Sequence, residues 1–156
     1  MTTRSVALVL MILACSGHGV VAAPREKTIV FVCEHGSVKS LIAQEWFNRR
    51  AKERGLAVRA VSRGATPDAS VPVPIVEALQ QDGFDVRTFK PSAPTSRELR
   101  KAARVVAIGL RPGALGPAAT PEAWDDIPPT SGGYAGTRDA LRAHIEALLS
   151  VLAEHP

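Results

Sequence analysis

Cys33 opens an eight-residue stretch, Cys33-Glu34-His35-Gly36-Ser37-Val38-Lys39-Ser40, whose residue types could do nucleophilic chemistry on an anion. The stretch follows an apolar run and precedes an amphipathic one, so the sulfur sits where a buried strand feeds a loop that opens a helix. Gly36 and Ser37 allow a tight turn. The backbone N–H groups of such a turn gather into a concavity, and the helix start adds partial positive charge. A tetrahedral oxyanion suits that concavity. The same field favours a thiolate, and a thiolate beside a bound phosphoryl group stands in line for attack at phosphorus. Lys39 places a cation six residues after Cys33, and Ser40 adds a hydroxyl. A lone cysteine is commonly an inert buried residue. Here the strand, the glycine-containing loop, the spaced cation and the following helix together favour function. Glu34 and His35 read as loop-lining. His18, His144 and His155 form no ligand spacing with His35, so no metal is expected, and no cofactor either.

The elements that must hold this loop follow from hydrophobic pattern. Residues 28–33 form an apolar, β-branched run without alternation, the pattern of a strand buried on both faces. Residues 38–55 carry Leu41, Ile42, Ala43, Trp46 and Phe47 among basic residues, an amphipathic helix stopped by Gly55. A second strand is expected over 56–62. Helices follow over 74–81 and 95–103, the latter capped by Thr95 or Ser96. A buried strand is expected over 104–109, loop over 111–122, a short strand over 123–126, and a closing helix over 136–153. Strands that alternate with helices imply a parallel sheet covered on both faces, with ligands bound beyond the carboxyl ends of the strands at a topological switch point.

The N-terminus stands apart. Arg4 precedes an apolar run over 6–14, and small residues end in Ala22-Ala23. This is the pattern of a secretory signal over 1–23, which leaves one domain over 24–156 and implies export to the periplasm. Cys15 offers the alternative of a lipid anchor, the one route by which a membrane becomes a partner. If Cys15 departs with the signal, Cys33 is the sole thiol, and neither an intrachain disulfide nor a cysteine metal cluster can form. The net charge is +4 with a sequence pI near 9.5, but the basic residues are scattered, which argues against a nucleic-acid partner and suits an anionic substrate.

The run from Ile29 to Ser40 resembles the signature of low-molecular-weight tyrosine phosphatases and the related thioredoxin-coupled arsenate reductases: a cysteine, five residues, an arginine and a serine or threonine. Ser62-Arg63-Gly64-Ala65, the strand at 105–109 and Trp124-Asp125-Asp126-Ile127-Pro128-Pro129 support the resemblance, which extends over most of 27–153. It implies a three-layer, flavodoxin-like α/β fold with a four-stranded parallel sheet. It also implies roles. Cys33 becomes the nucleophile that forms a cysteinyl-phosphate. The amides of Glu34, His35, Gly36, Ser37, Val38 and Lys39 cradle the phosphoryl oxygens. Ser40 hydrogen-bonds the thiolate, and Ser62 braces the loop.

Three departures from the family pattern stand out. Lys39 replaces the signature arginine, a point charge where a planar fork would hold two oxygens. Gly36 stands where the family often has asparagine. The family's general acid is an aspartate followed by proline, and no such pair exists here. In direct register that position falls near Pro128, and Asp126, ahead of Asp125, is the expected substitute. The implied activity is hydrolysis of a phosphorylated protein or a small aryl phosphate, with phosphate, sulfate or arsenate as competing oxyanions. The alternatives are a catalytically weak oxyanion-binding relative, favoured by Lys39 and the missing pair, and an arsenate reductase that relies on an external thiol.

Overall fold

A computed structural model describes residues 25–154. The signal expected over 1–23, with Cys15, lies outside the described residues. Four strands, β1 (Lys27–Cys33), β2 (Val58–Gly64), β3 (Arg104–Ile108) and β4 (Glu122–Trp124), form one parallel sheet in the order β2-β1-β3-β4. Four helices cover it: α1 (Lys39–Glu53), α2 (Val73–Gln81), α3 (Ser96–Lys101) and α4 (Tyr134–Glu154). This is the expected three-layer α/β architecture.

Alternation along β1 explains why its sequence shows none. Ile29, Phe31 and Cys33 point to one face, where they pack with Leu41 and Phe47 of α1, Leu79 of α2 and Leu141 and Ile145 of α4. Val30 and Val32 point to the other face, against Leu99 of α3 and Leu110. Both faces are dry from Ile29 to Cys33, so every position there is apolar. Phe31 and Phe47 meet edge to face at 5.7 Å and are fully buried, each contributing about 1.5–3 kcal/mol by area removed from water.

Several boundaries differ from expectation, each for a local reason. β2 begins at Val58, not residue 56, because Gly55 and Leu56 are consumed in ending α1. Gly55 adopts φ +65°, its N–H donates to Lys52 O, and the N–H of Leu56 donates to Ala51 O. β2 then runs on to Gly64, which lies opposite Cys33. α3 stops at Lys101, and the Ala103 amide bonds Thr28 O, already joining the sheet. β4 ends at Trp124, which leaves Asp125 and Asp126 in the following loop. That loop carries a single 3₁₀ turn over Thr130–Gly132 before α4 starts, two residues earlier than expected.

β2 is an edge strand, and α1 stitches it down. Asn48 accepts from the Ala60 amide at 2.6 Å and donates to Ala60 O at 3.1 Å. Gln44 accepts from the Ser62 amide at 2.6 Å. Together with Ser40 these side chains recur every four residues on one stripe of α1. They satisfy the strand edge that no neighbouring strand covers.

Candidate active site

β1 has β2 on one side and β3 on the other, so the chain reverses its direction of travel across the sheet at the β1/β3 boundary. A cavity of about 220 Å³ opens there, beyond the carboxyl ends of both strands. Cys33, Glu34, His35, Val38 and Lys39 line one side. Ile108 and Gly109 from the end of β3, and Pro129 and Thr130 from the loop before α4, line the rest.

The loop after β1 is held by its carbonyls. The oxygen of Cys33 accepts from the Ala65 amide at 2.9 Å, that of Glu34 from Thr66 at 2.7 Å, and that of His35 from Asp68 at 3.0 Å. Gly36 O accepts from Ser62 Oγ at 3.1 Å. Four consecutive carbonyls therefore point at β2 and the turn that follows it. A trans peptide sets each N–H opposite the preceding carbonyl. The amides of Glu34, His35, Gly36 and Ser37 are thus turned away from β2, towards the centre of the loop. The Gly36 N–H reaches Cys33 Sγ at 3.3 Å. The amides of Glu34, His35 and Ser37 through Leu41 have no hydrogen-bond partner among the described residues. No side chain caps the start of α1, so its first-turn donors are part of this set. Unpaired amides are donors free to bind an anion, and a row of them around a cysteine is a seat for one.

Two glycines make the curvature possible. Gly36 adopts φ +68°, open to glycine at no cost, and a β-carbon there would fall 2.6 Å from the Gly64 nitrogen. A β-carbon on Gly64 would lie 2.7 Å from the His35 carbonyl carbon. The two loops cross at van der Waals contact, and glycine is required on both. This explains Gly36 where the resemblance suggested asparagine.

Cys33 is 5% exposed. Its sulfur lies 3.1 Å from Ser40 Oγ, and Ser40 Oγ lies 2.8 Å from Ser62 Oγ and 3.2 Å from Arg63 O. Ser40 has one proton to give. It can donate to Arg63 O beside a thiol, or to the sulfur once the thiol ionises, while Ser62 donates to Gly36 O or to Ser40. The chain of hydroxyls accommodates either charge state without moving a heavy atom.

Lys39 lines the cavity, and its Nζ donates to Ile127 O at 2.8 Å. Gly109, with φ +61°, lies beside the ammonium. Arg63, the cation on the neighbouring loop, is spent elsewhere. Its Nε and Nη2 grip Glu98 of α3 at 2.9 and 2.6 Å, and its Nη1 donates to Ser62 O.

Asp126, expected as the acid, does not line the cavity. Its Oδ2 lies 3.0 Å from His144 Nε2 on α4, and its side chain is 72% exposed. The hydrogen bond from His144 holds its carboxyl below the usual carboxylate range, which suits an ion pair and not a proton donor. The cause lies in α4, whose His144 also stacks on Trp124 with ring centroids 4.8 Å apart. Trp124 itself is buried core. Pro129 and Thr130 occupy the wall where an acid was sought.

Sequence reasoning missed Asp68, Gly64, Gln44 and Asn48. The polar stripe Ser40-Gln44-Asn48 on an otherwise apolar helix face was the legible signal for two of them. Asp68 is joined to the loop only by tertiary contact: its Oδ2 accepts from Ser37 Oγ at 2.5 Å, and its Oδ1 lies 3.3 Å from His35 Nδ1.

The family model described as low molecular weight phosphotyrosine protein phosphatase matches residues 28–111, more than half of the chain. A search of curated proteins returns no match. Among solved structures, a thioredoxin-dependent arsenate reductase of Corynebacterium glutamicum superposes with a TM-score of 0.71 at 18% identity, covering 86% of this chain. This chain spans 65% of that protein's length. The arginine phosphatase YwlE of Bacillus subtilis, with a phosphorylated active-site serine, gives a TM-score of 0.71 at 21% identity, with 82% and 97% of the two chains covered. A low molecular weight protein tyrosine phosphatase from T. tengcongensis gives 0.64 at 20%, with 80% and 98% covered. At these identities the likeness establishes a shared fold.

Proposed function

The chain belongs to the low molecular weight phosphotyrosine protein phosphatase family, whose members are cysteine-dependent phosphatases, and from that premise we propose that it hydrolyses phosphate monoesters through a cysteinyl-phosphate on Cys33. The substrate class is a phosphorylated protein, with phosphotyrosine foremost, or a small aryl phosphate. The observation that carries the reading is the row of unpartnered amides turned in around Cys33.

In the proposed cycle the amides of Glu34 to Lys39 bind the phosphoryl oxygens. The Cys33 thiolate, steadied by Ser40, attacks phosphorus in line with the departing oxygen. Lys39 exchanges Ile127 O for a phosphoryl oxygen. An ammonium holds one oxygen where a guanidinium holds two, so transition-state clamping is weaker by about 2–3 kcal/mol, or about 10²-fold in rate. Water then hydrolyses the cysteinyl-phosphate, and phosphate leaves.

A weak or inactive oxyanion-binding relative is the second reading. The position of Asp126, paired with His144 outside the cavity lining, favours it. Arsenate reduction with an external thiol is the third. The whole sequence holds only Cys15 and Cys33, so no later cysteine could resolve an arsenic–sulfur adduct. We also propose that the protein is exported with removal of residues 1–23, or is anchored at Cys15. Intact mass of protein recovered from cell fractions decides between them, and a full-length cytoplasmic species rejects both.

Turnover of an aryl phosphate by the purified protein, with Cys33→Ser as control, is the principal test. Cys33-dependent release of phosphate between pH 4 and 8 supports the phosphatase. Phosphate-induced thermal stabilisation without turnover supports the binding relative. Arsenate reduction that needs added glutathione supports the third reading.

A further inference from the structure

Displacement of an ester oxygen from phosphorus leaves an oxyanion that needs a proton, and the groups around the cavity that could deliver one are few. Val38, Ile108, Gly109 and Pro129 carry no side-chain proton donor. Cys33 is the nucleophile and Lys39 holds the anion. Thr130 is a weakly acidic alcohol. Glu34 and His35 remain, and they are held differently. Glu34 Oε1 accepts from Thr66 Oγ1 at 3.2 Å, an exposed contact. His35 is built into the loop from both ends. Asp68 takes the Ser37 hydroxyl on Oδ2, faces His35 Nδ1 with Oδ1, and gives its own amide to His35 O. A carboxylate held in this way places an acceptor 3.3 Å from Nδ1. It leaves Nε2, which has no hydrogen-bond partner among the described residues, as the working nitrogen. Besides Asp68, the charged groups that share this wall are Glu34 and Lys39.

We propose that His35 is the general acid and base of the reaction, with Asp68 as its positioning residue. The proposal rests on the phosphatase reading. In the first step the thiolate pair of Cys33 forms the S–P bond, the P–O pair passes to the leaving oxygen, and the Nε2 proton of the imidazolium moves to that oxygen. In the second step neutral Nε2 takes a proton from water as the water oxygen bonds phosphorus. The S–P pair returns to sulfur, and phosphate, thiolate and imidazolium result.

The test is a leaving-group comparison. Phenyl phosphate releases a weakly acidic phenol and needs the proton; para-nitrophenyl phosphate releases an acidic one and does not. His35→Asn should lower kcat/KM for phenyl phosphate by about 10²-fold or more and that for para-nitrophenyl phosphate by less than about 10-fold. Asp68→Asn should show the same bias in weaker form. An equal loss on both esters, or no loss, overturns the assignment while Cys33-dependent turnover keeps the phosphatase reading. A bias that appears in Glu34→Gln and not in the His35 variant also overturns it. Absence of any Cys33-dependent turnover on either ester overturns both readings. Should the variants fail to fold, the wild-type protein still decides: a steep dependence of kcat/KM on phenol acidity across an aryl phosphate series means that no group delivers the proton.

Discussion

Two loops meet over Cys33 and are held in opposite ways. The loop at 33–40 spends its carbonyls on β2 and the turn at 65–68 and leaves all its inward amides but that of Gly36 without a partner, so the bonds that tie it to its neighbours lie on the outside. The loop at 125–130 is pinned from its flanks. Asp126 pairs with His144, Thr137 Oγ1 donates to Pro128 O at 3.0 Å, and Lys39 takes Ile127 O. The first loop presents donors to the cavity; the second presents Pro129 and Thr130 and turns its carboxylate away. The difference separates two tasks that one reaction needs. Anion binding is a matter of backbone direction and is built into the first loop. Proton delivery needs a titratable side chain, and the second loop does not bring one.

The comparison breaks most sharply at the loop crossing. Gly64→Ala should abolish both turnover and phosphate-induced thermal stabilisation, and should cost about 1–3 kcal/mol of stability in denaturant titration, because its β-carbon falls against the His35 backbone. Retention of phosphate binding would mean that the loop tolerates displacement. Next comes the cation. Lys39→Met should lower kcat/KM by about 10²-fold, and Lys39→Arg should raise it above wild type, measured with para-nitrophenyl phosphate. An unchanged or slower Arg variant would refute the account of the ammonium as the weaker clamp. Ser62→Ala removes the donor to Gly36 O and one link of the hydroxyl chain, and should lower turnover about 10-fold with about 1 kcal/mol lost in stability.

The smallest effect is expected in the second loop. Asp126→Asn should leave kcat/KM within about twofold, since the carboxylate lies outside the cavity lining; a loss of 10²-fold would restore it as the acid. Its stability effect carries a pH signature. The folded-state carboxyl is held below its ordinary value by His144, so the folded protein binds this proton less readily than the unfolded chain. The stabilisation is present above about pH 4 and is lost as pH falls through the lowered value, so the small gap in Tm between wild type and variant should close in acid.

Much of this was legible before any coordinates. The unbroken apolar run at 28–33 announced a strand covered on both faces, and the glycine within 33–40 announced a sharp turn into a helix. The end of α1 was legible to within two residues, but the first residues of β2 were not, because Gly55 and Leu56 serve the helix cap, a hydrogen-bond choice that apolar pattern does not reveal. Arg63 was equally opaque: a cation beside the motif looks available until Glu98, thirty-five residues on, is seen to hold it.

Order along the chain was enough to determine the strand–loop–helix unit, the cysteine at its hinge, the lysine six residues on, and the parallel architecture around them. Those features rest on local periodicity and on the conformational range of glycine, which neighbouring residues suffice to dictate. Only the packed structure decided which way the carboxylates and imidazoles face. Asp126 with His144, and Asp68 with His35, are pairings across eighteen and thirty-three positions. Such pairs form where helices and turns happen to dock, and the side chain closest in space, not in sequence, takes the bond.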